Sequence, residues 1–221
     1  MILFKMVNLL KISQRLKEIN VFHKIENELI ITRRSKSRVP NIDEDISYLT
    51  GVITGDGSLI RSRRKRGGFH YILQITSGSR SYLEYLNFLF KERFNINGKI
   101  VRDKRKQRTF NLRIQNTVVF WYFVLIGLPI GKKKDIVIPK YLVDNKLKLS
   151  YMAGLIDTDG SIANKRIQLK QKDGVFLENI SKELNKLNLN CSVPKVNYTD
   201  NVPFYYIRFN NEIPLRFKLP Q

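Results

Sequence analysis

Two aspartates, Asp56 and Asp159, each end an apolar, small-residue stretch, and each is followed by a glycine. The stretches are YLTGVITGDGS (48–58) and YMAGLIDTDGS (151–161), and their aspartates are 103 positions apart. Two carboxylates held about 6 Å apart at an effective dielectric near 20 repel by roughly 2.8 kcal/mol, about two pK units. Such a pair either shares protons or is neutralised by a divalent cation. Hard oxygen donors on an open site suit Mg²⁺, or another divalent cation such as Mn²⁺, which keeps several waters and accepts phosphate oxygens. The main-chain carbonyls of Gly55 and Thr158 are further candidate ligands.

Something must bring the two tips together. Each stretch reads as a helix, with Ser150 as the N-cap of the second and Asp45 or Ser47 as that of the first. Gly57 and Gly160 stop the two helices. Gly51 and Gly55 are four apart, as are Gly154 and Thr158, so the small residues share one face. Two such helices can approach closely side by side. One Asp-Gly pair alone is a common turn signal; its recurrence after a small-faced apolar helix points to a paired site. Asp157 falls on another side of its helix and reads as a local cap or polar contact.

The repeat continues beyond the aspartates. YILQITS (71–77) corresponds to RIQLKQ (166–171), and RTFNLRIQN (108–116) to FYYIRFNNE (204–212), with Arg113 matching Arg208. Each half therefore runs helix, strand, strand, helix, strand, strand. Strand alternation sets Phe110, Leu112 and Ile114 against Thr109, Asn111, Arg113 and Gln115. It likewise sets Gln74 and Thr76 against Tyr71, Leu73 and Ile75, and groups Tyr206, Arg208 and Asn210. The fold class expected is α+β: two pseudo-symmetric αββαββ-type halves, each an antiparallel sheet with a helix-covered apolar back and a polar front. Side chains such as Gln74, Thr76, Asn111, Arg113, Gln115, Arg166, Gln168, Lys170, Tyr206, Arg208 and Asn210 suit reading of base edges in a major groove.

The charge names the partner. The 221-residue chain carries 40 Lys and Arg against 19 Asp and Glu, a net +21. That field seeks a polyanion. Basic clusters recur as RRSKSR (33–38), RSRRKR (61–66), RDKRKQR (102–108) and KKK (132–134). Together they imply a surface that follows phosphates, and Arg61, Arg63, Arg64, Arg80 and Arg105 join the candidate DNA contacts. No apolar run approaches the roughly 20 residues of a membrane-spanning helix, so no membrane partner is expected. The opening MILFKMVNLLKIS is too short and too interrupted by lysine for a secretory signal, which points to an intracellular location. Cys191 is the sole cysteine and His23 and His70 the only histidines, which excludes a disulfide framework and a thiolate zinc cluster.

LTGVITGDG (49–57) and MAGLIDTDG (152–160) resemble the paired motifs of the LAGLIDADG homing endonucleases, in the single-chain, two-motif, intron-encoded form. The first motif departs from the family pattern at Thr50, Thr54 and Gly55. The resemblance spans about residues 43–216. It implies a monomer with saddle-shaped sheets that cleaves both strands of a long double-stranded DNA site with Mg²⁺. It implies metal binding by Asp56 and Asp159, and a site-ordering glutamine at Gln171, where the first half instead has Ser77. It also implies a supporting lysine from the run 132–134, of which Lys133 is favoured; the second half offers only Lys218. Cutting across the minor groove leaves 3′ overhangs, and two sheets of about 30 Å cover near 18 base pairs. Unlike halves imply an asymmetric site. The alternatives are an intron maturase that binds its host intron RNA, and a non-cleaving DNA-binding regulator of the same fold.

The expected organisation is an amino-terminal basic, helical extension (1–42), a first half (43–145) and a shorter second half (146–221). The second half lacks a closing helix, so the amino-terminal helix, with Leu9, Leu10, Ile12, Leu16 and Ile19 near helical spacing, is expected to cover its exposed back.

Overall fold

The computed structural model describes residues 2–33, 35–65, 67–103, 108–133, 136–163, 166–199 and 202–210. Its elements run in two matching series. Helix α2 (Glu44–Asp56) leads into strands β4 (Gly57–Arg63) and β5 (Phe69–Ser77), helix α3 (Arg80–Phe94), strands β6 (Lys99–Arg102) and β7 (Phe110–Ile114), and helix α4 (Thr117–Leu125). Helix α5 (Asn145–Asp159) leads into β8 (Gly160–Ala163), β9 (Arg166–Gln171), helix α6 (Gly174–Lys186), β10 (Lys195–Thr199) and β11 (Val202–Asn210). Both four-stranded sheets are antiparallel, ordered β4-β5-β7-β6 and β8-β9-β11-β10, so corresponding strands occupy corresponding places.

The two motif helices begin earlier than their apolar stretches suggest. Asp43 accepts from the Ile46 N–H at 2.9 Å and caps α2. Asp144 accepts from the Leu147 N–H at 2.9 Å and caps α5. Ser47 and Ser150 are instead buried within the helices, and Asp45 accepts from Arg93 Nε at 2.8 Å. The glycines after each helix do act as C-caps, with extended rather than left-handed backbone. Their reason is space: a Cβ on Gly57 or Gly160 would lie 2.9 or 2.4 Å from the carbonyl oxygen of Ile53 or Ile156.

Behind the first sheet, α3 and α4 supply an aromatic core in which Phe90 meets Phe123, and Tyr122 meets Phe94 and Phe123, edge to face, while Tyr71 meets Phe120 and Trp121. In the second half α6 lies against β11, where Ile207 and Phe209 are buried. Val196 and Tyr198, on the same side of the outer strand β10, stay 51% and 63% exposed, as expected of a sheet with a single covering helix.

The amino-terminal segment corrects one expectation. Helix α1 (Ile2–Glu18) packs on α4 of the first half and not behind the second sheet. Ile12 and Leu16 are buried there, and the Arg15 guanidinium sits 4.4 Å from the Trp121 ring centre. Strands β1 (His23–Glu26), β2 (Leu29–Thr32) and β3 (Lys36–Arg38) follow as a small antiparallel sheet that the sequence reading did not foresee. Among the described residues no helix is long and apolar enough to cross a membrane.

Candidate metal centre and nucleic-acid interface

The seam between α2 and α5 is made by backbone meeting backbone. A Cβ on Gly51 would sit 2.0 Å from the Tyr151 carbonyl oxygen, and one on Gly154 would sit 2.1 Å from that of Tyr48. These positions are related by the same 103-residue offset as the aspartates. Around them the pseudo-symmetry is polar as well. Tyr48 Oη donates to Asp157 Oδ2 at 2.7 Å, while Tyr151 Oη donates to Thr54 Oγ1 at 3.4 Å. Asp157, only 2% exposed, is thus a polar contact across the seam and not a local cap.

At the end of this seam the two carboxylates converge. Gly55 faces the second tip so closely that a Cβ on it would meet Thr158 Oγ1 at 1.9 Å and Asp159 Oδ2 at 2.8 Å. The first motif has glycine where the second has Thr158, and one side chain fills the space available for two. Lys133 reaches the same point. Its loop is fixed to the edge strand by Gly131 N–H donating to the Leu59 carbonyl at 2.8 Å, beside a parallel bridge between Leu59 and Ile130. Lys133 Nζ then donates to the Gly55 carbonyl, and Gln171 Nε2 donates to Asp159 Oδ2.

Electrostatics follow from this geometry. Burial raises Asp159 to about 7, with Asp56 adding repulsion and Lys133 and Gln171 opposing it. Burial raises Asp56 to about 6 against the attraction of Lys133. Asp56 is the more solvent-exposed of the two, so screening weakens the push on it. Burial lowers Lys133, and both aspartates counter that. Two carboxylates held above their ordinary range beside main-chain oxygens form a donor set that a hard divalent cation would relieve. The residues present therefore fit such an ion. The Gly55 carbonyl accepts from Lys133 and keeps its second lone pair, so it stays a candidate ligand beside Asp56, Asp159 and the Thr158 carbonyl.

A cleft of about 470 Å³ opens beside Asp159, lined by Gly55, Lys133, Lys170, Gln171 and Lys172. Lys172 was missed by the sequence reading, although it directly follows the glutamine that the motif singled out. Ser77 and Gln171 are equivalent by register: Gly57 pairs with Ile75 and Gly160 with Leu169, and each residue lies two positions on.

The same register sets the polar faces. Gln74 pairs with Arg113, and Gln168 with Arg208, at equivalent places in the two sheets. Thr76 and Gln115 share the first polar face. Arg166, Lys170 and Tyr206 share the second, with Asn210 at its register position opposite Arg166. The Arg208 guanidinium lies 5.3 Å from the Tyr206 ring centre and its Nε donates to Gln168 Oε1 at 3.4 Å. Lys99, opposite Arg113, joins the first polar face and was also missed; the alternation of KIVR carries that signal.

Several expected contacts are placed elsewhere. Asn111 is buried, and its Oδ1 accepts from Thr76 Oγ1 at 2.7 Å and Gln74 Nε2 at 3.2 Å, so it positions those side chains. Arg61 and Arg63 pair with Tyr71 and Phe69, on the helix side of the sheet beyond the end of the core. Arg61 stacks 3.8 Å from the Phe69 ring centre. Arg64 lies beyond the end of β4 and lines the clefts beside the amino-terminal segment. Arg80 opens α3 and pairs with Glu84 at 2.9 Å, off the sheet. Arg105 and Lys218 lie outside the described residues.

Residues 46–215 match the description of the LAGLIDADG DNA endonuclease family. The homing endonuclease I-DmoI of Desulfurococcus mucosus is 25% identical over 158 residues, covering 69% of this chain and 75% of its own. The crystal structure of I-DmoI in complex with DNA and Mn superposes with a TM-score of 0.59 at 21% identity, covering 81% of this chain and 100% of that one. The homing endonuclease I-WcaI, bound to its DNA recognition sequence, matches with a TM-score of 0.50 at 22% identity, covering 74% of this chain and 75% of its own. A family match across most of the sequence, with both motifs (49–57 and 152–160) inside it, settles the relationship: this chain belongs to the LAGLIDADG DNA endonuclease family.

Proposed function

We propose that the chain is a site-specific double-strand DNA endonuclease acting as a monomer inside the cell. It cleaves a long, asymmetric site across the minor groove and leaves 3′ overhangs. The observation that carries this reading is the meeting of Asp56, Asp159 and Lys133 at one point between two register-matched polar sheet faces.

Asp56 and Asp159 would hold a divalent cation, Mg²⁺ or Mn²⁺, with the Gly55 and Thr158 carbonyls as further candidate ligands. Bound there, the cation supplies Lewis acidity and neutralises phosphate charge. The remaining work falls to the chain itself. Gln171 fixes the rotamer of Asp159 by donating to Oδ2. Lys133, tied to Gly55, lies beside both carboxylates, whose attraction opposes the lowering of its pKa by burial, and can screen charge that develops on a phosphate. Lys170 and Lys172 put positive charge along the cleft on the second side. Arg113 and Arg208, each beside a glutamine, read base edges in the two half-sites. The first half has Ser77 where the second has Gln171, so the two strands are expected to be cut at unequal rates.

The test is selection of cleaved duplexes from a randomised DNA library with Mg²⁺, against a chelator control. Recovery of one asymmetric site near 18 base pairs, with 3′ overhangs at a fixed position, supports the reading. Binding of one site without metal-dependent cutting would make the chain a regulator, and binding of folded RNA in preference to any duplex would make it a maturase.

A further inference from the structure

The RRSKSR cluster lies outside the family match, on a segment with nine Lys and Arg against three Glu over residues 1–42. The structure gives that segment a fixed place. Asn116, at the end of β7, donates through Nδ2 to Ser35 Oγ at 3.1 Å and Ser37 Oγ at 3.0 Å. Tyr122 Oη donates to the Pro40 carbonyl at 3.3 Å, and Arg38 Nη1 to the Glu92 carbonyl at 3.1 Å. The β1–β3 sheet is therefore docked at one end of the first four-stranded sheet. That end lies opposite Asp56: the aspartate precedes β4, whereas the docking site adjoins the β4–β5 hairpin and the last residues of β7.

Between the small sheet and the hairpin runs a cleft of about 450 Å³, lined by Phe22, Arg33, Arg64, Tyr71 and Gln115 among others. A second cleft of similar volume shares Arg64 and Tyr71 with it and continues past Arg61. Gln115 belongs to the polar face and contacts His70 Nδ1 at 2.7 Å, so one wall of the cleft is continuous with the expected DNA surface. Arg64 Nε is buried, and it has no hydrogen-bond acceptor among the described residues. Arg33 is exposed on the opposite wall, and Phe22 stands 89% exposed at the rim, an apolar surface that suits a sugar edge.

We propose that this cleft takes the sugar-phosphate backbone of the duplex beyond the first half-site, with Arg33 and Arg64 as phosphate partners. The amino-terminal segment then lengthens the footprint on one side only. Continuity with the polar face and the charge of the walls favour DNA as the occupant. The inference rests on the reading of the chain as a double-strand DNA endonuclease.

The test compares binding of the full chain to the selected core site, to that site extended by ten random base pairs on the first-half side, and to the site extended on the second-half side. Two added phosphate contacts predict tighter binding of the first-half extension than of the core site at about 50 mM salt, an advantage that shrinks about tenfold at about 200 mM because the salt slope is steeper by about two. Arg33→Ala should remove about half of the added slope with an unchanged thermal midpoint, since Arg33 is exposed. Equal affinity for all three duplexes, or an equal gain from either side, overturns the inference while cleavage of the core site leaves the endonuclease reading standing. An Arg33→Ala effect seen on folded RNA but not on the extended duplex also overturns it. Absence of any duplex binding would remove the endonuclease reading itself.

Discussion

Tyr48 of the first motif helix donates its hydroxyl to Asp157 of the second at 2.7 Å, across a seam in which each helix's glycine touches the other's backbone. The reciprocal bond, Tyr151 to Thr54, is longer and ends on a neutral hydroxyl. The two halves are therefore joined by a pseudo-symmetric pair of contacts of unequal strength.

Tyr48→Phe leaves a buried carboxyl without that donor and should cost about 1.5–3 kcal/mol, whereas Tyr151→Phe should cost about 1 kcal/mol or less. Chemical denaturation of both variants checks the order. Equal losses would mean that the seam does not distinguish the two contacts.

Gly51→Ala and Gly154→Ala each drive a methyl into the opposite helix backbone, at 2.0 and 2.1 Å. Each should cost at least about 1–3 kcal/mol, because overpacking here forces the two helices apart and not merely a side chain aside. It should also lower any cleavage rate by separating the aspartates. A thermal midpoint equal to that of the parent for either variant would contradict the backbone contact.

The metal-free protein should lose stability as pH rises from about 4 to 7. Asp159 is raised from its ordinary 3.8 to about 7, so over that window the unfolded chain gives up a proton that the folded chain retains. Below about pH 4 both states are protonated and the effect vanishes. Asp159→Asn removes the penalty and should stabilise the metal-free protein at pH 8 by about 2 kcal/mol, the full shift being discounted for the solvent-open side of the site. Denaturation at pH 4 and pH 8 measures the difference; a variant equally or less stable at pH 8 would argue against an Asp159 carboxyl raised by its burial at the seam.

Lys133→Met should lower single-turnover cleavage by about 10²-fold with binding of the site little changed, as expected of a group that acts on developing charge. The readout is the cleavage rate at saturating protein. A change confined to affinity would make Lys133 a phosphate anchor only.

Much of this site is legible in the residues because the motif is short, repeated and built of types with few roles. Small residues at fourfold spacing fix which faces meet, and alternation fixes which side chains share the polar faces. The misreadings have physical sources. Ser47 and Ser150 looked like caps because they border the apolar runs, but both helices continue outward by polar turns. There Lys148 pairs with Glu183 of α6 at 2.8 Å. Arg61 and Arg63 were grouped by charge, while strand parity puts them on the helix side. The amino-terminal sheet was missed because its first hairpin turns at Asn27 and Glu28, with φ of 43° and 68°, and glutamate is not a residue that announces a left-handed turn. The placement of α1 depended on which half had an unfilled apolar surface, and Trp121 on α4 has no counterpart that the repeat alone would reveal.

The most direct measurement is strand-resolved, single-turnover cleavage of the selected site by the parent chain, Asp56→Asn and Asp159→Asn in Mg²⁺. Carboxylates that jointly hold the cation predict that either substitution alone abolishes cutting of both strands while the site is still bound within a few fold. Either variant cutting both strands at the parental rate would contradict a shared centre at the helix tips.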